Sequence, residues 1–238
     1  MEHGTLAEET FTYAVDTFAR QIGFDRRDFL DDDLSAFSEA IPAAARGAAR
    51  ALNDLVAETI LGNAGSFWST NNSNYIEGAT TVLSAEGLAQ AVQKLRSMKD
   101  AEGNILDLQP AVLLCGSTLE SAARALLESN EVLRDVSSTD NLPTGNIYKG
   151  VATLVGEPRL DDSDFVGASD AAWWLLSAPQ NSAIIVAFLG SQPTPMIEAF
   201  DYSSDIDRLA MAFRVYHDFG AALGDHRASV KSKGANGG

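Results

Sequence analysis

One long helical pattern dominates this sequence and most constrains the fold that it can adopt. Apolar residues recur at helical spacing from Leu34 to Leu61, and the pattern ends at Gly62-Asn63. Three aspartates at 31–33 precede the pattern, where they suit the positive end of a helix dipole. Pro42 lies inside it, so we expect a kink or a separate leading turn there. Small residues at 43–51 favour close packing of this helix against a broad sheet.

The rest of the chain predicts a mixed fold of helices and strands. A second helix is predicted from its N-cap, Ser84, to Lys99. A buried strand at 111–115 leads into a third helix at 119–128, and 116–118 is its predicted cap. A strand–helix unit of this kind indicates an α/β subdomain. Further strands are predicted at 148–155, 172–176, 183–189 and 209–216.

The segment 10–24 alternates apolar and polar residues on both sides of Asp16-Thr17. This pattern predicts two short strands in a hairpin-like arm. The arm has few residues to pack beneath it, so we expect it to lean on a neighbour.

The charge balance is strongly acidic, with 17 Lys plus Arg against 33 Asp plus Glu and a formal net charge of −16. Such a surface repels phosphates, and the one clear basic cluster is 227–233. The charge therefore argues against a sequence-reading nucleic-acid binder, whereas a shell that encloses DNA without adhering to it is compatible with this charge, as are most soluble acidic proteins. The sequence offers neither a signal peptide nor an apolar run long enough for a bilayer, so we expect a soluble protein made in a cytoplasm.

Cys115 lies at a strand-to-helix turn, a position where some hydrolases display a nucleophile. A cysteine nucleophile needs a base, and His3, His217 and His226 lie in no catalytic motif. The pattern favours a buried structural cysteine, with a cysteine hydrolase as the enzymatic alternative.

Other motifs also have structural explanations. Asp218-Phe219-Gly220 matches a kinase tripeptide but lacks the other kinase motifs. Helix capping explains 31–33 better than a metal site does, and the acids at 161–164 indicate a solvated loop. Trp173 and Trp174 could form a ligand platform, but adjacent strand residues point to opposite faces, so one in the core and one at an interface is at least as well supported. We therefore predict no catalytic residue, no cofactor and no metal.

Several segments together resemble the Mu-like major head subunits of tailed phages. The stretch FARQIGFDRRDFLDDDLSAF, at 18–37, is similar to their strand–helix junction, and IPAAARGAAR, at 41–50, to the start of their long helix. QPAVLLC at 109–115 and RVYHDFGAALGDHRA at 214–228 resemble later landmarks. The similarity follows the same order through nearly the whole chain.

The resemblance implies an α+β fold of the HK97-like capsid type. It also implies a major capsid protein that forms an icosahedral shell around double-stranded phage DNA, in a virion assembled in the bacterial host cytoplasm. An encapsulin-like compartment is the alternative. The expected regions are an N-terminal segment and extended-loop arm at 1–30, a peripheral domain with a spine helix at 31–85, an axial domain at about 86–205 and a C-terminal return at 206–238.

The expected partners are other copies of the chain in hexamers and pentamers, non-specifically packaged DNA, and portal, scaffold or decoration proteins, with no membrane. Arg20, Arg26 and Arg27 are the candidate intersubunit contacts, although solvated or internal pairs explain them equally well. Some relatives crosslink this loop through a lysine, and it contains none here. About nine residues precede the arm, so we expect a processed, truncated or unusually short subunit.

Overall fold

The structure is a computed structural model that describes residues 11–25, 34–78, 81–133, 143–200 and 210–234. These described residues form three α-helices, namely α1 (Leu34–Gly62), α2 (Ala85–Arg96) and α3 (Ser117–Glu128). The strands are β1 (Asp16–Asp25), β2 (Tyr75–Ile76), β3 (Pro110–Cys115), β4 (Glu131–Leu133), β5 (Pro143–Gly145), β6 (Thr153–Gly156), β7 (Trp173–Ser177), β8 (Ile184–Phe188), β9 (Met196–Phe200), β10 (Ala210–Leu223) and β11 (Ser229–Ser232).

The predicted α+β class is confirmed. A five-stranded sheet has the order β2-β11-β7-β3-β6, and a second sheet has the order β1-β10-β8 with β9 also paired to β10. The chain divides into two compact units. The larger unit comprises Met1–Phe11, Ala57–Ile185 and Leu223–Gly238, and the smaller unit comprises Thr12–Val56 and Val186–Ala222.

Helix α1 confirms the long helical pattern of the sequence. It passes through Pro42 without a break, so the predicted separate leading turn is wrong. Pro42 is exposed, and its ring therefore needs no space in a packed interface. The helix ends where Asn63 adopts a left-handed φ of 44°, as is common at helix C-termini. The aspartates at 31–33 lie outside the described residues.

Helix α2 begins at the predicted N-cap, because the Ser84 side chain accepts a hydrogen bond from the Gly87 N–H at 3.1 Å. Leu88 and Leu95 are fully buried on one face, in the core of the larger unit. The helix ends at Arg96, before the predicted end at Lys99.

Helix α3 receives its cap from a residue far away in the sequence. Asp161 Oδ2 accepts hydrogen bonds from the Thr118 backbone N–H at 2.7 Å and from the Thr118 hydroxyl at 2.8 Å. The N-cap residue, Gly116, contributes no side-chain bond. The predicted cap at 116–118 is therefore incomplete. The predicted solvated loop is confirmed for 162–164, which are exposed, whereas Asp161 instead binds the helix terminus.

Trp173 and Trp174 are both fully buried, so the prediction of one tryptophan at an interface is wrong. They lie on β7, an interior strand of the five-stranded sheet, and both faces of that strand are covered. Trp173 Nε1 donates to Thr81 O at 3.0 Å. The Trp174 ring packs edge-on against Trp68, with centroids 6.2 Å apart.

Strand β11 occupies most of the basic cluster at 227–233, and it lies between β2 and β7. Ser229, Val230 and Ser232 are fully buried. Trp68 Nε1 donates to Ser229 Oγ at 2.9 Å, which satisfies one of these buried hydroxyls. The cluster is therefore mainly a structural strand of the larger unit.

Strand β1 corrects the predicted hairpin arm. A single strand begins at Asp16 and pairs antiparallel with β10 along all 10 of its residues, from Asp16 opposite Phe219 to Asp25 opposite Ala210. The second of the two predicted strands is thus confirmed, whereas residues 11–15 form no strand and the predicted turn at Asp16-Thr17 is wrong. The backbone of the arm is thus supported within its own subunit.

The predicted strand 148–155 is shorter, and sequence reasoning missed these strands: β2, β4, β5, β9 and β11.

Candidate assembly surface

The side chains at 16–21 of β1 are exposed although the backbone of the strand is paired. Phe18 remains 37% exposed while its ring stacks on buried Phe219 at 4.3 Å, and Tyr13 just before the strand is 55% exposed. In the described part of the sheet, β1 is also an end strand. An exposed edge with aromatic side chains is suited to contact with another chain.

A second group of exposed apolar residues lies on β8, on β9 and on the turn between them. We call this group the apolar rim: Val186, Leu189, Met196 and Ile197. Met196 and Ile197 are consecutive strand residues, so their side chains point to opposite faces, yet both are nearly half exposed. Clustered exposed apolar residues mark interaction surfaces more often than scattered ones do.

Arg214 is paired inside the smaller unit. Its guanidinium bonds Glu198 on the neighbouring β9, with Nε 3.1 Å from Oε2. The same group lies 5.1 Å from the Phe200 ring centroid and 5.8 Å from that of Tyr216. Desolvation and the Glu198 carboxylate raise the pKa of Tyr216.

Beside the apolar rim lies a pocket of about 260 Å³, which we call the His217 pocket. Leu189 and Met196 line its apolar part, and Thr194, His217 and Asp218 are among its polar residues. His217 is only 4% exposed, and neither ring nitrogen has a hydrogen-bond partner among the described residues. Asp218 Oδ1 is buried and likewise has no partner in the described part of the chain.

Aromatic neighbours hold the His217 ring in place. Phe188 stacks on it with centroids 5.5 Å apart, and Phe219 lies 4.9 Å away at a tilt. A buried polar group without a partner costs about 1–3 kcal/mol. Sequence reasoning dismissed the motif at 217–220 as a chance kinase match, and no local signal identifies its burial.

The predicted contact arginines are only partly described. Arg20 lies on β1 opposite Val215 and is exposed. None of the ion pairs among described residues involves Arg20. Arg26 and Arg27 lie outside the described residues.

The cationic group of β11 is not available on an open surface. Lys231 Nζ lies 5.1 Å from the Trp174 ring centroid and 6.0 Å from that of Trp68. Desolvation by burial lowers the pKa of Lys231. Arg227 in the same cluster pairs with Asp225 at 2.8 Å. This environment suits packing and not phosphate binding.

Cys115 is fully buried at the end of β3. Burial, and then the carboxylates of Glu120 and Asp161, raise the pKa of its thiol to about 11. A nucleophilic cysteine requires a lowered pKa and access to substrate. The geometry therefore supports the structural interpretation of this cysteine over the hydrolase alternative.

The comparison with protein families gives a match to the family described as phage capsid protein, over residues 8–232. The chain belongs to the phage capsid protein family. This capsid protein is therefore a structural shell subunit, and its family favours that role over the encapsulin-like alternative. The Mu-like subfamily stays a prediction. The comparison with curated proteins found no match.

Solved structures of phage proteins share the fold of this capsid protein. A phage-related protein from Bordetella bronchiseptica RB50 is 14% identical, with a TM-score of 0.57 over 95% of this chain and 77% of that one. A Mycobacterium phage Patience chain is 12% identical, with a TM-score of 0.56 over 95% and 70% of the two chains. A chain of the Cyanophage Pam1 capsid asymmetric unit is 14% identical, with a TM-score of 0.51 over 95% and 76%. The HK97-like fold is thus confirmed.

The described residues contain no cluster of three or more histidine, cysteine or acidic side chains arranged to hold a metal ion. Among the described helices, none combines the length and apolarity that crossing a membrane requires.

Proposed function

We propose that this capsid protein is the major head subunit, and that its copies assemble into the pentamers and hexamers of an icosahedral shell around double-stranded DNA. The family match over residues 8–232 carries the proposal. The apolar rim supports it, because assembly would remove these side chains from water. A net charge of −16 would let packaged DNA remain unattached to the shell. Assembly would take place in the host cytoplasm, with portal, scaffold or decoration proteins as further partners.

We assign the chain to four regions within that shell. Residues 1–30 form the N-terminal segment and extended-loop arm, 31–85 the peripheral domain with α1 as its spine, 86–205 the axial domain and 206–238 the return to the peripheral domain. The smaller unit supports this assignment in part, since it contains both the arm strand β1 and the strand β10 from the return segment.

The proposed role requires no catalysis. The subunit assembles through surfaces that are complementary in shape and charge. Its arginines form intersubunit ion pairs with acids of adjacent copies, and the candidates are Arg20, Arg26 and Arg27. The buried, high-pKa thiol of Cys115 supports this non-enzymatic role.

Assembly is tested on the purified full chain by size-exclusion chromatography with light scattering and by negative-stain microscopy. We expect rings of five or six and closed shells, and a stable monomer at high concentration in moderate salt would overturn the proposal. Leu189→Asp places a charge in the apolar rim and should weaken assembly. The matched control is Val166→Asp, which charges an exposed valine outside the rim and should leave assembly unchanged.

A further inference from the structure

Strand β1 presents an open hydrogen-bonding edge in the described part of the smaller unit. Its inner edge pairs with β10 along all 10 of its residues, from Asp16 to Asp25, and no other described strand pairs with its outer edge. The outward backbone N–H and C=O groups of an edge strand can pair with a strand of another chain. The side chains at 16–21 are exposed as well, so a strand that approached this edge would meet them directly.

Two opposite charges on one face of β1 have no partner in the described part of their own subunit. Asp16 and Arg20 are exposed, and neither takes part in an ion pair with the described residues. Four residues of a strand separate them by about 13 Å, so they cannot bind each other within one copy. Opposite Arg20, β10 carries Val215, and the next residues on that face are Phe213 and His217. None of these three neighbours is acidic.

The sequence of this edge is complementary to itself in one antiparallel register. When two copies pair about a two-fold axis at Phe18, each Arg20 lies opposite Asp16 of the other copy, and the two Phe18 side chains lie opposite each other. The same register places Ile22 opposite Ala14, so that two apolar side chains meet. Sliding one strand by two residues in either direction places Phe18 opposite a charged residue instead. The charges and the apolar side chains therefore favour the same register.

The surroundings of Phe18 suit a contact at the centre of this register. Its ring stacks on the buried ring of Phe219, with centroids 4.3 Å apart, while 37% of the residue remains exposed. The Phe18 ring of a second copy would cover that exposed part and would extend the aromatic cluster across the two-fold axis. Removing this apolar surface from water would add to the backbone hydrogen bonds and the ion pairs.

We propose that β1 pairs antiparallel with β1 of a second copy about a two-fold axis at Phe18, and that Arg20 of each copy binds Asp16 of the other. The inference rests on the proposed function, since it names one contact between the subunits of the shell. A contact between identical surfaces requires a two-fold axis, and an icosahedral shell contains such axes. The two sheets of the smaller units then continue into each other through their β1 strands.

Charge exchange on the full chain tests the register. Arg20→Asp and Asp16→Arg each place like charges opposite each other twice in the contact, so each should raise the critical concentration for assembly about tenfold. The double variant restores both ion pairs in reversed order and should assemble like the wild type. Lys99→Asp, at an exposed position of the larger unit, makes the same charge change as Arg20→Asp and should leave assembly unchanged. Additive losses in the double variant, or no loss in either single variant, would overturn the register.

A disulfide trap tests the two-fold axis. In this register the two Cα atoms at position 18 lie about 4.5–5.5 Å apart, which is within disulfide range. Mildly oxidised Phe18→Cys should therefore give a disulfide-linked dimer on a non-reducing gel, with or without a shell, and Cys115 is too buried to contribute. Gln21→Cys is the matched control and should give no dimer, because its two cysteines would lie about 20 Å apart.

The outcomes separate the inference from the proposed function. Absence of the Phe18→Cys dimer would overturn the inference, and shells formed by the wild type would then leave the proposed function standing. A dimer in a chain that forms no larger assembly would support the contact and overturn the proposed function. A chain that gives neither the dimer nor any assembly would overturn both.

Discussion

Replacing Asp161 by alanine should destabilise the subunit through the N-terminus of α3. Asp161 makes two short hydrogen bonds to Thr118, at 2.7 and 2.8 Å, and so performs the work of an N-cap side chain. Loss of such a cap costs about 0.5–2 kcal/mol. In a chain of this size, each kcal/mol lowers the melting temperature by about 2–4 °C, so we expect a decrease of about 1–8 °C in Asp161→Ala. Thermal unfolding monitored by circular dichroism measures this decrease. Ser121→Ala, at an exposed position of α3, is the control.

The pH dependence gives this prediction a second readout. Burial opposes ionisation of Asp161, but hydrogen bonds from Thr118 and Ser117 outweigh it and lower its pKa. The stabilisation is therefore present above the ordinary aspartate pKa of about 3.9 and is lost as the pH falls through the lower folded-state pKa. The difference between wild type and Asp161→Ala should shrink in that acidic range.

A neighbouring glycine provides an independent check. A Cβ on Gly116 would lie 2.6 Å from Asp161 Cγ, so Gly116→Ala should displace the capping carboxylate and cost a similar amount. Asp161 Cβ would lie 2.8 Å from the same atom, so only an Asp161→Gly background removes the whole clash, and there Gly116→Ala should be nearly neutral. Equal effects of Gly116→Ala in both backgrounds, or an Asp161→Ala subunit as stable as wild type, would refute the reasoning.

Four further outcomes are expected. Cys115 should react with a maleimide only on unfolding, and rapid labelling at neutral pH would contradict its burial. Because the pKa of Cys115 in the folded state is raised to about 11, the stability of the wild type should fall above pH ~8.5, and that of Cys115→Ala should not. Lys231 has a lowered pKa, so stability should rise as the pH approaches ~10.4, and Lys231→Met should lack that rise in urea titrations. Boiled particles should give one band at 25.3 kDa, because the arm contains no lysine, and a detergent-resistant ladder would argue against this. Assembly yield should increase with salt, which screens the −16 charge over about 8–10 Å, and a flat yield would place that charge away from the interfaces.

Local patterns predicted the elements that depend on local physics. The periodicity of α1 and the apolar run of β3 are properties of consecutive residues, and both were located to within one residue. The Ser84 cap was also predictable, because its hydrogen-bond partner is three residues away.

The errors occurred where remote residues decide the outcome. Asp161 caps a helix 43 residues earlier in the chain. The sequence of β11 predicts a polar, basic segment and not a buried strand. Trp68 and Thr81, which form the hydrogen bonds of its two buried serine hydroxyls, are remote in the sequence. At the candidate site, the sequence identified Arg20 as a candidate contact residue, and Arg20 is exposed on β1. The burial of His217 comes from Phe188 and Phe219, which only the sheet brings together.

The central position of β11 also has a kinetic consequence. Its hydrogen-bonded neighbour β2 is more than 150 residues away, and the Ser229–Trp68 bond alone closes a loop of 161 residues. Such non-local pairing is slow to form, because chain entropy is lost before the contacts repay it. Until β11 docks, β2 and β7 present open edges that any other copy's β11 fits equally well. Expression of many copies at once therefore favours strand exchange between nascent subunits, and dilution during refolding should favour the monomeric fold.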